Sequence, residues 1–339
     1  MKYLLVCLIA ITFSTACQNK AKSDTINTED KIILKSDTTN IEQNTQVGYD
    51  KADIDDNTNT GNKPPKSIPV VDFSQGAPIL VSSDDAERKL YLTENIKEGV
   101  RLAKSGETAK ALEFFKKEEK ANPKNHYAWY YAALAHYDKG NSEKAVEILN
   151  EAITKFPDTW HLFFLKGKIH YDLKEYNAAL ESYDKLLVIA PNHREALENR
   201  ANIHLYLKNY EKAAADYEKY DINFPPSSEM YYNMAYAQAQ IGRYEDAEMN
   251  FSYSIKKNEN NLSAYVNRGN TFMMLNEFEK AIEDYTHVIS IDAQNINAYF
   301  NRGQAKLRIN QDPCPDWQKA FELGSKDVKQ LLDKYCDKK

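Results

Sequence analysis

The 339-residue chain has no excess of basic residues: 44 Lys and Arg against 50 Asp and Glu leave a formal net charge of −6. A protein that grips phosphates usually carries a basic face, so nucleic acid is excluded as a leading partner. Motifs that carry chemistry are missing too. The sequence has no Gly-rich phosphate loop, no Ser-centred elbow and no Cys–His nucleophile pattern. That points away from an enzyme and from a bound cofactor. Aromatics are scarce at one end only: between Gln18 and Asp85 just Tyr49 and Phe73 occur, although the chain holds 23 Tyr, 13 Phe and 3 Trp.

Long apolar runs are lacking as well. The run over residues 3–13 (YLLVCLIAITF) spans eleven residues, whereas a helix needs about 20 to cross a bilayer. A basic start at Lys2, a short apolar stretch and the small residues Ser14-Thr15-Ala16 read as a secretory signal peptide over residues 1–16. Cys17 directly after Ser-Thr-Ala resembles the bacterial lipobox, with Ser14 where Leu is usual. The resemblance implies that Cys17 becomes a diacylated first residue. Gln18 in place of Asp then points to the outer membrane, and Lys20 and Lys22 to its periplasmic face.

Residues 17–82 read as a lipidated Cys followed by a disordered tether. They are rich in Asn, Thr, Asp, Ser and Lys, with Pro64, Pro65, Pro69 and Pro78, and no period of 3.6 or 2 persists. Such a stretch cannot bury enough apolar area to offset its ordering entropy. Within it, residues 68–81 are more apolar, and docking on the folded part or a loose strand are both open.

Residues 83–339 contain one repeat. Steps of 34 from Leu92 give units starting at 92, 126, 160, 194, 228, 262 and 296. The twentieth position is Ala111, Ala145, Ala179, Ala213, Ala247 and Ala281; the eighth is Gly99, Ala133, Gly167, Ala201, Ala235, Gly269 and Gly303. Position 24 is Phe115, Leu149, Tyr183, Tyr217, Phe251 and Tyr285, and position 32 is Pro123, Pro157, Pro191 and Pro225. Small residues suit a close helix crossing, Gly106, Gly140 and Gly242 suit a left-handed helix end, and proline stops the second helix. This pattern resembles the tetratricopeptide repeat (TPR). The resemblance implies an all-α, right-handed TPR solenoid of seven helix-turn-helix units with a C-terminal capping helix. The first helix is expected over 84–104, starting at Asp84. The last unit, with Trp317 at position 24, is expected to start its second helix at Asp312-Pro313, and the capping helix to cover 326–337.

Resemblance to the family also assigns a wall. Positions 2, 5, 6, 9, 12 and 13 of each first helix face the concave groove in TPR proteins. Position 6 carries Asn199, Asn233, Asn267 and Asn301, and position 9 adds Asn202, Asn270 and Gln304. Each amide offers an acceptor and two donors, so the series resembles the asparagine ladder of TPR peptide binders, expected on a solvated wall. Position 5 holds Tyr130, Phe164, Glu198, Tyr232 and Phe300, unlike the carboxylate-clamp type. Tyr130, Tyr137, Phe164, Tyr171, Tyr206 and Tyr236 offer an alternative, stacking faces for a glycan such as peptidoglycan. His136, His170 and His204 share position 11. Neighbouring helices lie ~8–10 Å apart while zinc needs ligand nitrogens at ~2.0–2.1 Å, so they fill packing slots and no metal is expected. The carboxylates are expected on solvated faces. With Cys7 lost and Cys17 lipidated, Cys314 and Cys336 remain as an even pair. They either bridge or pack as thiols in the cap, and antiparallel neighbouring helices favour the bridge. The expected function is a non-catalytic, membrane-anchored scaffold for protein or peptide clients, with no cofactor.

Overall fold

The computed structural model describes residues 91–336; residues 1–16, expected to be a signal peptide, Cys17, and residues 17–82, expected to be a tether, lie outside them. Fifteen helices and no strand occur among the described residues. They pair as α1 (Glu94–Lys104) with α2 (Thr108–Ala121), α3 (His126–Asp138) with α4 (Ser142–Lys155), and α5 (Trp160–Asp172) with α6 (Tyr176–Ile189). The series continues as α7 (Arg194–Tyr206) with α8 (Tyr210–Asn223), α9 (Ser228–Gln240) with α10 (Tyr244–Lys257), and α11 (Leu262–Met274) with α12 (Phe278–Ile291). It ends with α13 (Ile296–Arg308), α14 (Cys314–Glu322) and the single α15 (Val328–Tyr335). Seven pairs and a cap form a helical solenoid. No helix among the described residues is long and apolar enough to cross a membrane.

The pairing follows from one contact repeated along the chain. At position 8, a Cβ on Gly99, Gly167 or Gly269 would stand 2.4, 2.8 or 2.7 Å from the ring at position 24 of the same unit, Phe115, Tyr183 or Tyr285. Small residues are required there by a side-chain ring rather than by a neighbouring backbone. Gly303 meets Trp317 in the same way, at 2.4 Å. Trp317 is fully buried and its Nε1 donates to the Phe300 carbonyl at 3.2 Å. The last unit therefore keeps the packing of the others across a shortened turn.

Every first helix ends alike. The residue after position 15 donates its N–H to the carbonyl five residues back, as in Glu107 to Leu102 at 2.9 Å and Gln311 to Lys306 at 2.8 Å. That closure needs position 15 in the left-handed region. Gly106, Gly140 and Gly242 provide it, but Lys174, Lys208, Asn276 and Asn310 adopt φ of 57–61° as well. For an L side chain the conformation costs about 1–2 kcal/mol, partly offset by the extra chain freedom glycine has when unfolded. Lys174→Gly and Lys208→Gly, both exposed, are therefore expected to stabilise by about 0.5 kcal/mol each. Thermal melting would show it, and a lowered melting temperature would contradict it.

Two boundaries depart from expectation. The first helix does not run unbroken over 84–104: Leu92 and Thr93 are non-helical, and Thr93 caps α1 by accepting from the Ile96 N–H. Residues 84–90, with the proposed Asp84 start, lie outside the described residues. A β-hydroxyl at Thr93 outcompetes continuation of the helix because it satisfies an otherwise orphaned donor. At the other end Pro313 takes the cap position, while Asp312 still accepts from the Cys314 N–H at 2.9 Å. Cys314 and Cys336 are bonded, with Cα atoms 5.7 Å apart. This closes a segment of 22 residues and contributes about 3 kcal/mol in the loop-entropy picture.

Candidate functional site

The asparagines of position 6 are not on a solvated wall. Asn199, Asn233, Asn267 and Asn301 are only 4–9% exposed, which corrects the expectation from the repeat pattern. Their depth has a physical cause: Asn199 is tied to a ring of the second-helix layer beneath, and Asn267 and Asn301 are each tied to the preceding first helix. Asn199 Nδ2 donates to Tyr183 Oη at 3.4 Å, and Asn267 Nδ2 to Tyr232 Oη at 3.0 Å and to the Ser263 carbonyl. Asn301 Nδ2 donates to Asn270 Oδ1 at 2.9 Å, which also accepts from Tyr285 Oη at 2.7 Å. Asn202 Oδ1 accepts from Tyr217 Oη. Tyrosines in place of Phe or Leu at position 24, Tyr183, Tyr217 and Tyr285, thus hold Asn199, Asn202 and Asn270, while Tyr232 at position 5 holds Asn267.

The geometry leaves a polar edge unused. Among the described residues, the side-chain oxygens of Asn199, Asn267 and Asn301 accept no hydrogen bond, and the Asn233 side chain makes none. Asn270 Nδ2 is buried without a partner. One amide per helix over α7, α9, α11 and α13, repeated at ~8–10 Å, can meet about every third residue of an extended strand.

Toward the other end the wall changes character. Lys168 is buried and donates to Asp172 at 2.9 Å and to Tyr137 Oη at 3.1 Å, while the Tyr137 hydroxyl donates to Asp172. Burial raises the Glu198 carboxyl, with Arg194 opposing. Beyond lie stacked rings. His126 and His161 sit 4.7 Å apart, Tyr127 lies flat on His161 at 4.8 Å, and Trp160 lies 5.6 Å from His161. His126 Nδ1 and His161 Nε2 are buried without partners. Desolvation pushes His126 down to about 4 and His161 well below its ordinary value.

The aromatics considered for a glycan do not form an open face. Tyr130 and Tyr236 are buried, Tyr137, Phe164 and Tyr171 half-buried, and Tyr206 alone of the six is 51% exposed. The position 11 histidines go separate ways: His204 is buried, whereas His170 contacts Glu175 at 2.6 Å. No group of three metal-ligating side chains occurs among the described residues.

The expectation of solvated carboxylates fails at position 23. Asp216, Asp284 and Asp316 are buried and each takes two bonds from an arginine at position 7 of its unit, Arg200, Arg268 or Arg302, at 2.6–3.1 Å. The same arginines reach back to position 25 of the preceding unit, Asp184, Ser252 or Thr286. Each arginine is a staple within and between repeats. The recurrence of Arg at position 7 with Asp at position 23 was the signal.

Family models described as tetratricopeptide repeat and TPR repeat match residues 96–159, 164–228 and 269–310, half of the chain together. The chain is a tetratricopeptide-repeat protein. No curated protein matches the sequence. Among solved structures, the C-terminal part of a TPR repeat-containing protein from Cytophaga hutchinsonii is 17% identical with a TM-score of 0.52, covering 70% of this chain and 98% of that one. YrrB, a TPR protein described as having an unusual peptide-binding site, is 17% identical with a TM-score of 0.51, covering 56% and 99%. A tetratricopeptide repeat protein from Parabacteroides merdae is 24% identical with a TM-score of 0.43, covering 71% and 96%. Tetratricopeptide repeats are in general non-catalytic scaffolds for protein–protein interaction, and this chain carries that fold.

Proposed function

We propose that the protein is a lipid-anchored adaptor of the bacterial envelope that holds an extended protein segment along its concave wall and catalyses nothing. Residues 1–16 direct export, Cys17 receives the lipid, and residues 17–82 tether the solenoid to the outer membrane on its periplasmic side. The observation that carries the binding role is the row of position 6 amides whose oxygens point no bond into the fold. Acceptors at fixed spacing suit the N–H groups of a peptide backbone and ignore its side chains, so the partner is selected elsewhere on the wall.

Asn233 gives the clean test, because its side chain supports nothing among the described residues, whereas Asn267 and Asn301 brace neighbours. A partner captured by cross-linking in intact cells is identified first. Asn233→Ala is then expected to weaken it about 2- to 10-fold, the worth of one hydrogen bond at ~0.5–1.5 kcal/mol. Melting should stay within about 0.5 kcal/mol of the parent. Unchanged affinity would remove the amide row from the binding surface. Independently, Cys17→Ser should shift the protein from membranes to the soluble fraction or leave an uncleaved precursor, since stable anchoring takes two acyl chains. Membrane fractionation of a variant that still incorporates labelled palmitate would refute the anchor.

A further inference from the structure

Position 5 of the first helices is aromatic at Tyr130, Phe164, Tyr232 and Phe300, and Glu198 is the one acid in that row. The Glu198 side chain is half-buried and, among the described residues, makes neither a hydrogen bond nor an ion pair. Two more acids stand by it: Glu195 one turn earlier on α7, and Glu229 on the adjoining α9. Burial raises the Glu198 carboxyl, Arg194 opposes, and Glu195 and Glu229 add to the rise. The nearby bases are committed elsewhere. Arg194 Nε donates to Tyr220 Oη at 2.8 Å, with its guanidinium over the Tyr220 and Phe224 rings. His193 Nδ1 lies 3.4 Å from Glu195 but accepts from the Ala196 N–H. The helix dipole accounts for Glu195 and Glu229, which sit in first turns. It does not account for Glu198, a turn deeper.

Asn233 is an independent sign at the same place. Its side chain is 6% exposed and makes no hydrogen bond among the described residues, yet its amide atoms are not sealed from solvent. The repeat fixes what it faces. Asn267 Nδ2 donates to Tyr232 Oη at 3.0 Å, a contact between position 6 and position 5 of the unit before. One unit earlier the corresponding pair is Asn233 and Glu198, and Glu229 lies one turn before Asn233 on α9. A carboxylate and an amide oxygen, both without donors, thus meet on the wall between the fourth and fifth units. No three metal-ligating side chains gather among the described residues, so the acids are too dispersed for a metal ion. With helices ~8–10 Å apart, the spacing suits a long flexible side chain that ends in a cation.

We propose that this place is a pocket for a lysine or arginine side chain of the bound protein segment. Glu198 is its counter-charge, Asn233 Oδ1 a second acceptor, and Glu195 and Glu229 form the rim. The proposal rests on the wall being a peptide groove, and it adds the selection that the amide row does not make. The amides hold a backbone whatever its side chains; the pocket requires a positive one in register with the fourth and fifth units. Left to itself the fold keeps a half-buried carboxylate unpaired, and the cation of the segment pairs it. A charge-assisted hydrogen bond is about twice as strong as a neutral one, so the pocket discriminates among segments that the amides hold equally.

A positional-scanning library of acetylated, amidated decapeptides, titrated against the full chain at low salt, is the probe. Lysine or arginine at one interior position is expected to bind about 5- to 50-fold more tightly than glutamine there. That advantage should shrink as salt screens the exposed part of the pair. Glu198→Gln should erase the preference and weaken the best basic peptide by the same factor. Its melting temperature should hold or rise, because an unpaired, half-buried charge is removed. A cation preference retained in Glu198→Gln would overturn the pocket, and so would a lowered melting temperature with affinity unchanged, which makes Glu198 a structural residue. Peptides that bind, lose affinity in Asn233→Ala and show no preference for a cation would leave the groove standing and its pocket refuted. Binding by no peptide of the library would remove the groove and the pocket together.

Discussion

Asp284→Ala is expected to cost about 3–5 kcal/mol, because it leaves a guanidinium in the interior without its counter-charge. Asp284 is buried in α12, and both its oxygens accept from Arg268, at 2.9 and 2.7 Å. Arg268 is held in place by Ser252 at 2.9 Å and by the rings of Tyr265 and Phe272 beneath it, so it cannot swing to solvent without losing those contacts. Burial raises the Asp284 carboxyl although Arg268 pulls it down. Arg268 is raised in turn, its bonds to Asp284 outweighing its own desolvation, so the two shifts point opposite ways and the pair stays charged. A buried pair of this kind is nonetheless worth little net against apolar residues of similar volume. Arg268→Met with Asp284→Leu should accordingly lose much less than Asp284→Ala alone. Urea unfolding of the two single variants and the double would measure it. A loss below about 1 kcal/mol for Asp284→Ala would show that the pair is solvated.

Much of this architecture is legible in the sequence because a repeat multiplies weak signals. One glycine at Gly99 says little, but small residues at position 8 in seven units set both the helix crossing and the unit length. Depth is what periodicity does not give. A 34-residue register assigns Asn199 or Asn267 to the groove face, yet whether the side chain stands clear depends on what lies below. Here Tyr183 from the second-helix layer and Tyr232 from the preceding first helix meet the amides with hydroxyls and hold them in. The same blindness hid Asp216, Asp284 and Asp316. Counted singly they look like solvent-facing acids on amphipathic helices, and only their pairing with Arg200, Arg268 and Arg302 across sixteen or fourteen residues marks them as interior. Helix starts depend on one side chain winning a local competition, and at Thr93 and Pro313 the winner was not the first candidate.

Acid should unfold the early repeats first. His126 and His161 carry depressed pKa values because their rings are desolvated among Tyr91, Tyr127, Tyr130, Phe156 and Trp160, with no carboxylate on either ring, and each is a potential like charge to the other. The unfolded chain takes up these protons near pH 6.5, the folded chain only at about 4 for His126 and lower for His161. Between those values the unfolded state binds more protons, so stability rises with pH and is lost as pH falls from about 6.5 toward 4. Each histidine contributes up to about 1.4 kcal/mol per pH unit. Allowing for the partial exposure of His126, that ring costs roughly 2–3 kcal/mol by pH 4, and His161 adds to it. Carboxylates titrate over the lower part of the same range, so the comparison that decides is with His126→Leu combined with His161→Leu. The parent should lose several kcal/mol more than this variant between pH 6.5 and 4.5, with amide exchange accelerating first in α3 and α5. Parallel stability curves for the two proteins would mean that the histidines keep their protons in the fold and that acid acts elsewhere.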